Sequence, residues 1–553
     1  MTAAEDRTIV NEFEYRFRPP LSAPEERGGT PPAYEMKVID GVILEKDVPV
    51  KLRDGVTIYV DVFRPETGNA APLIGWGPYG KHGHTRYAVS FPKADVDQSR
   101  MSGYTAFEAP DPFDWVPHGY AIINPNPRGT WYSAGRATFL SPEEAADFAD
   151  LIEWAGTRSW SNGNVGLTGV SYLTSAQWRV AELNPPHLKA INPWEGWSDT
   201  YREVVRHGGI PETSFWNYLP GRWGHSVTEL EDLRLETRER PFLDAYWDSK
   251  RARLEKIEVP AFVCASWTDQ GLHTRGTLEG FRKISSRQKW LYVHGRKKWA
   301  HYYAPRCVEM QRAFFDHFLL GKETELSRWP KVRYEVRDAF GQGTEKSADE
   351  WPINGTRYTP LYLGDGTLAS APTSAAARRY DPTKGEALQF DHRFAEATEL
   401  VGHMALKLWV SIEAGDDMDI FIAVQKLDRE RNIVPFAYYA QFENGPVALG
   451  WLRASHRELD EAASLPFLPV HKHQRELKLK PGEVVPVEIE IWPSGTRFEA
   501  GDSLRLVIKG SDIYDYPKPS VYARHEHLRN AGPQSIHVGG ARESRLLVPV
   551  VAP

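Results

Sequence analysis

Two hydrophobic patterns alternate over residues 37–195 and 256–340. Short continuous apolar runs, such as "APLIGWGPY" and "YAIINPNPRG", are typical of buried parallel strands. Between such runs, "SPEEAADFADLIEWAGT" has apolar residues at helical spacing and begins with Ser141, a residue type that caps helix N-termini. Strands that alternate with helices predict an α/β domain with a mainly parallel sheet.

The remaining stretches follow other patterns. Residues 1–36 are polar and rich in proline, which predicts an arm with little regular structure. Residues 196–255 are highly charged and helical in pattern, and they interrupt the α/β pattern, so we expect a helical cap on the sheet. Residues 341–553 consist of short alternating segments separated by turn residues, which predicts an all-β sandwich or jelly roll.

Composition narrows the class of protein. The net charge is −7, from 67 basic and 74 acidic residues, and no basic block indicates a nucleic-acid partner. Two cysteines cannot form a disulfide framework. The N-terminus has no apolar signal region and no apolar run is long enough to span a membrane, so we expect a soluble cytoplasmic protein. No metal-ligand spacing or phosphate loop is evident, so we expect no cofactor.

One stretch, "NVGLTGVSYLTSAQWRVAEL", joins an apolar run to a helical pattern at Ser171. A serine on such a strand-to-helix turn is the nucleophile of many hydrolases, because the turn lifts its oxygen above the sheet. The usual G-x-S-x-G pattern has glycine two residues after the serine, where this chain has Leu173. A serine that only caps the helix is the alternative.

Later strands supply the partners that such a nucleophile needs. "PAFVCASWTDQG" is a buried strand pattern that ends in Asp269. "KWLYVHGRKKWAHYY" begins with another strand pattern and ends in a segment that contains His294 and His301. Serine, acid and histidine in this chain order are typical of α/β-hydrolases, whose acid and histidine follow later strands.

These stretches resemble the CocE/NonD serine hydrolases, which are related to X-prolyl dipeptidyl peptidases and α-amino acid ester hydrolases. The resemblance rests on "WGPYGK", "PRGTWYSAG", "IEWAGTRSWSNGNVGLTGVSYLTSAQW", "LKAINPWEGWSDTYRE" and "SWTDQG", and it covers most of the chain beyond residue 40. It implies an α/β-hydrolase domain with a helical cap and a C-terminal jelly roll. It also implies that Ser171 is the nucleophile and Asp269 the acid, and that Tyr79 and the Tyr172 amide bind the oxyanion.

The chain departs from the family pattern at two places. Thr174 stands where the family often has glycine, and "HGRKKWAH" replaces the usual G-P-W-x-H. His301 fits W-x-H literally, whereas His294 lies at the strand end; we favour His294 as the general base.

The resemblance predicts a hydrolase that cleaves a small-molecule ester or amide through an acyl-enzyme. An X-Pro dipeptidyl peptidase or aminopeptidase, an acyltransferase and a non-catalytic binding protein are the alternatives. A homodimer is compatible with exposed cap helices. Several residues beside the motifs are candidates for the substrate pocket, with an ion-pair, capping or core role as the alternative for each: Trp76, Trp131, Glu195, Asp199 and Trp267.

Overall fold

The computed structural model describes residues 13–81, 87–517 and 520–551. Residues 1–12 of the predicted N-terminal arm lie outside these ranges. The described part of the arm contains the short strand Phe17–Arg18, which pairs with Leu230–Glu231, and the 3-10 helix Pro24–Arg27. The arm therefore has more regular structure than its proline content predicts, because its backbone pairs with residues of the segment 196–255.

A large mixed sheet forms the centre of the N-terminal part. Its neighbouring strands are antiparallel at the beginning and parallel from Tyr120–Asn126 to Val332–Ala339. This confirms the predicted mainly parallel sheet. In spatial order the strands are Glu35–Ile39, Val42–Lys51, Thr57–Pro65, Tyr120–Asn126, Ala71–Ile74, Val165–Val170, Leu188–Trp194, Ala261–Ser266, Lys289–His294, Val332–Ala339 and Gln342–Ala348.

Helices cover both faces of this sheet. Side chains alternate along a strand, so the consecutive residues Leu73 and Ile74 belong to different hydrophobic clusters. The cluster of Ile74 includes Phe148 of one helix, and the cluster of Leu73 includes Phe315 of another. The principal helices are Pro112–Trp115, Pro142–Gly156, Tyr172–Ala181, Thr274–Lys283, Lys298–Tyr302 and Pro305–Leu320.

The capping prediction at Ser141 is confirmed. The hydroxyl oxygen of Ser141 accepts a hydrogen bond of 3.0 Å from the Glu144 N–H, and the helix Pro142–Gly156 starts with proline in its first turn.

The segment 196–255 is less helical than its sequence predicts. Short strands interrupt it, and the charged stretch near its end forms two helices, Leu233–Glu239 and Ala245–Ser249, rather than one. Asp232 and Asp244 cap these two helices separately, and Pro241 between them lacks the N–H that a continuous helix needs. The longest helix of this segment is Phe215–Trp223.

The C-terminal region is built from antiparallel strands. Thr398–Ile412 pairs with Val485–Phe498, Gln534–Val538 and Arg545–Val551, whereas Asp419–Leu427 pairs with Ala448–Arg453 and Ser503–Lys509. Both groups contribute side chains to one hydrophobic cluster. Further strands are Arg357–Leu363, Ala376–Tyr380 and Ala387–Arg393.

This region packs against the large mixed sheet of the N-terminal part. Tyr439, Trp451 and Tyr522 share a hydrophobic cluster with Trp267 and Leu272, which follow the strand Ala261–Ser266. In the ranges that the structure describes, no helix is long and apolar enough to cross a membrane.

Candidate active site

Ser171 occupies a strained turn between the strand Val165–Val170 and the helix Tyr172–Ala181. Its backbone has φ 62° and ψ −116°, and its side chain makes no capping hydrogen bond to the helix. A non-glycine residue with positive φ is uncommon and marks strain that the surrounding structure must hold. The geometry is therefore that of a strand–turn–helix nucleophile rather than a serine N-cap.

Small residues make room for this turn. Gly169 has φ 137°, and a Cβ atom there would lie 2.5 Å from the Leu173 side chain. Thr174, which replaces the glycine common in the family, packs against Gly196 instead: a Cβ atom on Gly196 would lie 2.5 Å from the Thr174 Cβ. The Thr174 hydroxyl also accepts a 2.7 Å hydrogen bond from the Trp194 N–H. Gly196 thus supplies the space that Thr174 takes up.

The residue that reaches Ser171 is His273. The Ser171 Oγ lies 3.1 Å from His273 Nε2, and His273 Nδ1 is hydrogen-bonded to Asp269 Oδ2. All three side chains are buried. Trp197 lies parallel to the imidazole, with 5.6 Å between ring centroids, and fixes its plane. A serine, a histidine and an aspartate in this hydrogen-bond order form the arrangement that can activate a serine.

His273 was missed in the sequence although a signal is present there. Asp269 and His273 are four residues apart, one helical turn, so a turn after Asp269 brings both side chains to the same side. The structure has this turn: the N–H groups of Leu272 and His273 each lie 3.1 Å from the Asp269 carbonyl oxygen, and the helix Thr274–Lys283 follows.

Neither predicted histidine lies against Ser171, which corrects the expected position of the base. His294 Nε2 is 3.0 Å from Glu195 Oε1, and His294 Nδ1 accepts a hydrogen bond from the Arg296 N–H. His301 Nε2 lies 3.0 Å from the Tyr292 hydroxyl oxygen. The physical reason is the direction of the two side chains. At the end of the neighbouring strand their rings pack on each other, with 4.2 Å between ring centroids, instead of on Ser171.

A lysine completes the polar group around the acid. Lys298 donates a 2.8 Å hydrogen bond to Asp269 Oδ2, and its ammonium nitrogen is 3.2 Å from His273 Nδ1. Burial alone would raise the pKa of Asp269, but Lys298 and His273 together hold it well below its usual range. Burial, reinforced by the charge of Lys298, lowers the pKa of His273 to about 4. His273 is therefore unprotonated at neutral pH, as a general base must be.

Two donors are available for an oxyanion. Burial raises the pKa of Tyr79 well above 10, so its hydroxyl stays protonated, and Tyr79 and Ser171 line the same pocket. Tyr172 is the first residue of its helix, so its backbone N–H has no acceptor within the helix. The Tyr172 side chain points elsewhere and donates a 2.8 Å hydrogen bond to Glu144.

A pocket with about 500 Å³ of space, its open mouth included, leads to Ser171. Its lining comes from three parts of the chain. The sheet side contributes Tyr79, Phe91, Phe107, Glu108, Leu272, Lys298 and Trp299, the segment 196–255 contributes Phe215, Tyr218, Leu219 and Arg222, and the C-terminal region contributes Tyr439, Gln441 and Val521. Most of these side chains are aromatic or apolar, as is usual for a small-molecule site.

Glu108 is the unusual member of this lining. Its side chain is buried, its backbone has φ 64°, and its Oε1 accepts a 2.8 Å hydrogen bond from Trp299 Nε1. Its Oε2 has no hydrogen-bond partner among the described residues. Burial raises the pKa of Glu108 to about 8. A buried polar atom without a partner beside a reactive serine is typical of a binding site.

None of the five predicted pocket residues is part of this lining, and Glu108 was not among them. Trp76 stacks on Phe148 and donates to Glu144, and Trp267 donates to the Glu335 carbonyl oxygen. The remaining three also have structural neighbours: Trp131 packs on His225, Glu195 contacts Ser266, and Asp199 forms a 2.7 Å ion pair with Arg202.

Comparison with known proteins gives this geometry a family. Residues 54–222 match the X-Pro dipeptidyl-peptidase (S15) family, and residues 325–547 match the C-terminal non-catalytic domain of X-Pro dipeptidyl-peptidases. A CocE/NonD family hydrolase from Staphylococcus aureus has a structure that is 43% identical in sequence, with a TM-score of 0.91, over 95% of this chain and 98% of that one.

Curated relatives are more distant. Cocaine esterase from Rhodococcus sp. (strain MB1 Bresler) is 26% identical over 61% of this chain, and the alignment spans 65% of that enzyme. Xaa-Pro dipeptidyl-peptidase from Lactobacillus delbrueckii subsp. lactis is 22% identical over 71% of this chain and 59% of that enzyme. The chain is thus similar over nearly its whole length to a solved hydrolase, and over about 60% of the length of each of these two relatives.

The nearly complete overlap with the staphylococcal hydrolase, at 43% identity, is decisive. The chain therefore belongs to the CocE/NonD family of hydrolases, and it is a serine hydrolase that acts on ester or amide bonds.

Proposed function

We propose that Ser171, His273 and Asp269 are the catalytic triad of this hydrolase. The observation that carries the proposal is the chain of contacts from Ser171 Oγ through the His273 ring to the Asp269 carboxylate. His273 replaces His294 and His301 as the base, because those two rings face Glu195 and Tyr292. The strained backbone of Ser171 supports the same assignment.

The reaction follows from these positions. His273 Nε2 takes the Ser171 proton as Oγ attacks the substrate carbonyl, and Asp269 stabilises the imidazolium that forms. Tyr79 and the Tyr172 amide donate hydrogen bonds to the tetrahedral oxyanion. The imidazolium then protonates the leaving alcohol or amine, which departs and leaves an acyl-enzyme on Ser171. Water, deprotonated by the same histidine, releases the acid product.

We retain the predicted division into domains: an arm over residues 1–36, a catalytic α/β-hydrolase domain over 37–195 and 256–340, a cap over 196–255, and a jelly roll over 341–553. The cap contributes Phe215 and Tyr218 to the pocket, and the jelly roll contributes Tyr439. These residues support a role of both regions in shaping the substrate pocket. A homodimer stays a prediction.

Glu108 supports a second candidate, the hydrolysis of amides or esters that carry a free amine. Its Oε2 has no hydrogen-bond partner among the described residues and can accept a hydrogen bond from an ammonium group, whose charge would favour the ionised form of this buried carboxyl. Glu195 and Asp199, the two carboxylates among the predicted pocket residues, contact His294 and Arg202 instead. The dipeptidyl-peptidases among the relatives make a free N-terminus a reasonable test substrate.

A substrate panel tests the proposal and separates the two candidates. It consists of para-nitrophenyl esters and para-nitroanilides, each with and without an α-amino group. We expect the wild type to hydrolyse at least one member, and Ser171→Ala to lose about 10⁴-fold or more of kcat. Ser175→Ala, one helical turn away, is the control. A preference for amino substrates that Glu108→Gln removes would establish the second candidate; unchanged turnover in Ser171→Ala would refute the triad.

A further inference from the structure

Lys298 lies in the chain between His294 and His301, the two histidines that the sequence suggested as the base. It begins the helix Lys298–Tyr302, just after the last predicted catalytic strand, Lys289–His294. Its side chain is only 4% exposed, which is unusual for lysine. Within the described ranges its ammonium nitrogen has two polar contacts, both to members of the proposed triad: Asp269 Oδ2 at 2.8 Å and His273 Nδ1 at 3.2 Å.

Lys298 remains a cation in this buried position. Burial lowers the pKa of a lysine, but the carboxylates of Asp269, Glu195 and Glu108 outweigh burial and raise the pKa of Lys298 above its ordinary value. The triad therefore contains a permanent positive charge beside its base. The mechanism above makes no use of that charge.

We propose that Lys298 is a positioning residue that holds Asp269 ionised and keeps the His273 imidazole unprotonated in acidic solution. The proposal rests on the triad of the proposed function and goes further, because it assigns a working pH range to it. Lys298 contacts no reacting atom in this scheme and acts through its two neighbours.

The geometry gives the physical reason. His273 Nδ1–H and the Lys298 ammonium both donate to one oxygen, Asp269 Oδ2, so the carboxylate is fixed from two sides. An imidazolium at His273 would place a second positive charge 3.2 Å from Lys298. Like charges at this distance disfavour protonation.

The remaining groups around His273 do not cancel this repulsion. Asp269 favours the imidazolium, as Glu195 does where it is ionised, whereas burial and Lys298 oppose it, and the net effect lowers the pKa of His273. Ser171 and the Trp197 ring, two further described neighbours of the imidazole, carry no charge. Removal of the Lys298 charge should therefore let His273 accept a proton at a higher pH.

The test is the pH dependence of labelling by a fluorophosphonate, which forms a bond between phosphorus and Ser171 Oγ with loss of fluoride. The second-order rate constant falls in acid as the base of the free enzyme is protonated. We expect the midpoint of this fall to rise by about 1 pH unit or more in Lys298→Gln. In Lys298→Arg, which keeps the charge, we expect the midpoint of the wild type.

A matched control lies next in the chain. Lys297 is also buried, but it pairs with Asp95 and Glu443 and not with the triad, so Lys297→Gln should keep the midpoint of the wild type. If Lys298→Gln does not fold, as judged by circular dichroism, Lys298→Met removes the same charge from a side chain of similar length. A midpoint that stays unchanged in the folded neutral variant would overturn the proposal.

The result separates this proposal from the triad itself. Full labelling of His273→Ala would refute the triad, and with it the role of Lys298. Loss of labelling in His273→Ala, together with an unshifted midpoint in Lys298→Gln, would refute the role of Lys298 alone.

Discussion

Two neighbouring strands of the sheet, Ala261–Ser266 and Lys289–His294, each lead to a buried histidine paired with a carboxylate. After the first strand, His273 contacts Asp269 and points its other nitrogen at Ser171. At the end of the second, His294 faces Glu195. The two pairs have the same chemistry, and only one is aimed at the nucleophile.

The difference lies in the local backbone. His273 follows a turn that directs its ring back over the end of the sheet, whereas His294 is the last residue of its strand and its ring stays among Trp194 and His301. A residue type at a strand end is thus a weaker indicator of a catalytic role than the direction that the following turn gives it.

The largest expected difference between the two pairs is the loss of kcat when the carboxylate of each pair is replaced by an amide. Asp269→Asn should lower kcat by about 10⁴-fold, because it removes the carboxylate that sets the imidazole tautomer. Glu195→Gln should change kcat by less than about 10-fold, since Glu195 contacts His294 and Ser266 rather than His273. Steady-state kinetics on the best ester of the panel measures both. Equal losses in the two variants would mean that both pairs serve the reaction.

A smaller loss of kcat is expected at the oxyanion site, which lies beside Ser171 and therefore belongs with the first pair, His273 and Asp269. Tyr79→Phe removes one donor to the oxyanion and should lower kcat by about 10²-fold with little change in KM. Tyr218→Phe, at another tyrosine of the same pocket, is the control and should keep kcat. If both variants keep kcat, the Tyr79 hydroxyl does not stabilise the oxyanion.

The pH profile sharpens the assignment of the base. The pKa of His273 is lowered to about 4, so kcat/KM should stay constant from neutral pH down to about 5 and fall near pH 4. The sign follows because only the unprotonated ring can take the Ser171 proton. A fall near pH 6.5, the ordinary value for histidine, would show that the base is less buried than His273.

The smallest expected effect is on the pH dependence of folding stability, and it arises at the second pair, His294 and Glu195. Burial lowers the pKa of His294 to about 3, so stability is lost as pH falls below about 6.5, where only the unfolded chain takes up the proton. Burial and the nearby Asp269 raise the pKa of Glu195 from 4.5 to about 7, so between those values acidification stabilises the fold. The two effects oppose each other.

Glu195→Gln removes the stabilising part of this balance. Between pH 6.5 and 4.5 the variant should lose free energy of unfolding more steeply than the wild type, by up to about 1.4 kcal/mol per pH unit. Denaturant unfolding at pH 6.5 and pH 5 measures the slopes. Parallel slopes would contradict the predicted protonation of Glu195 in the folded protein.

Much of the fold could be predicted because its signals are local. Continuous apolar runs predicted the parallel strands, and Ser141 with Pro142 predicted a helix start that the structure has. Ser171 was found for the same reason, since a short apolar strand, small residues and a helix pattern adjoin it. The division of the charged segment into two helices could not be predicted from hydrophobic periodicity, because it depends on the N-terminal caps Asp232 and Asp244.

The details of the site depend on contacts between distant residues. Gly196 compensates for Thr174 across the gap between two strands, a relation that neither motif shows by itself. Lys298 belongs to the site because it donates a hydrogen bond to Asp269, and Glu108 is held there by a hydrogen bond from Trp299. The base was predicted from the order of strands, although the spacing of Asp269 and His273 by one helical turn was a local signal for it.

The proposed mechanism depends on His273, and not His294 or His301, as the base that activates Ser171. Intact-protein mass after brief exposure to a fluorophosphonate tests it directly in the wild type, Ser171→Ala, His273→Ala, His294→Ala and His301→Ala. We expect one added probe in the wild type, His294→Ala and His301→Ala, and none in Ser171→Ala and His273→Ala. Full labelling of His273→Ala, with labelling lost in His294→Ala or His301→Ala, would refute His273 as the base.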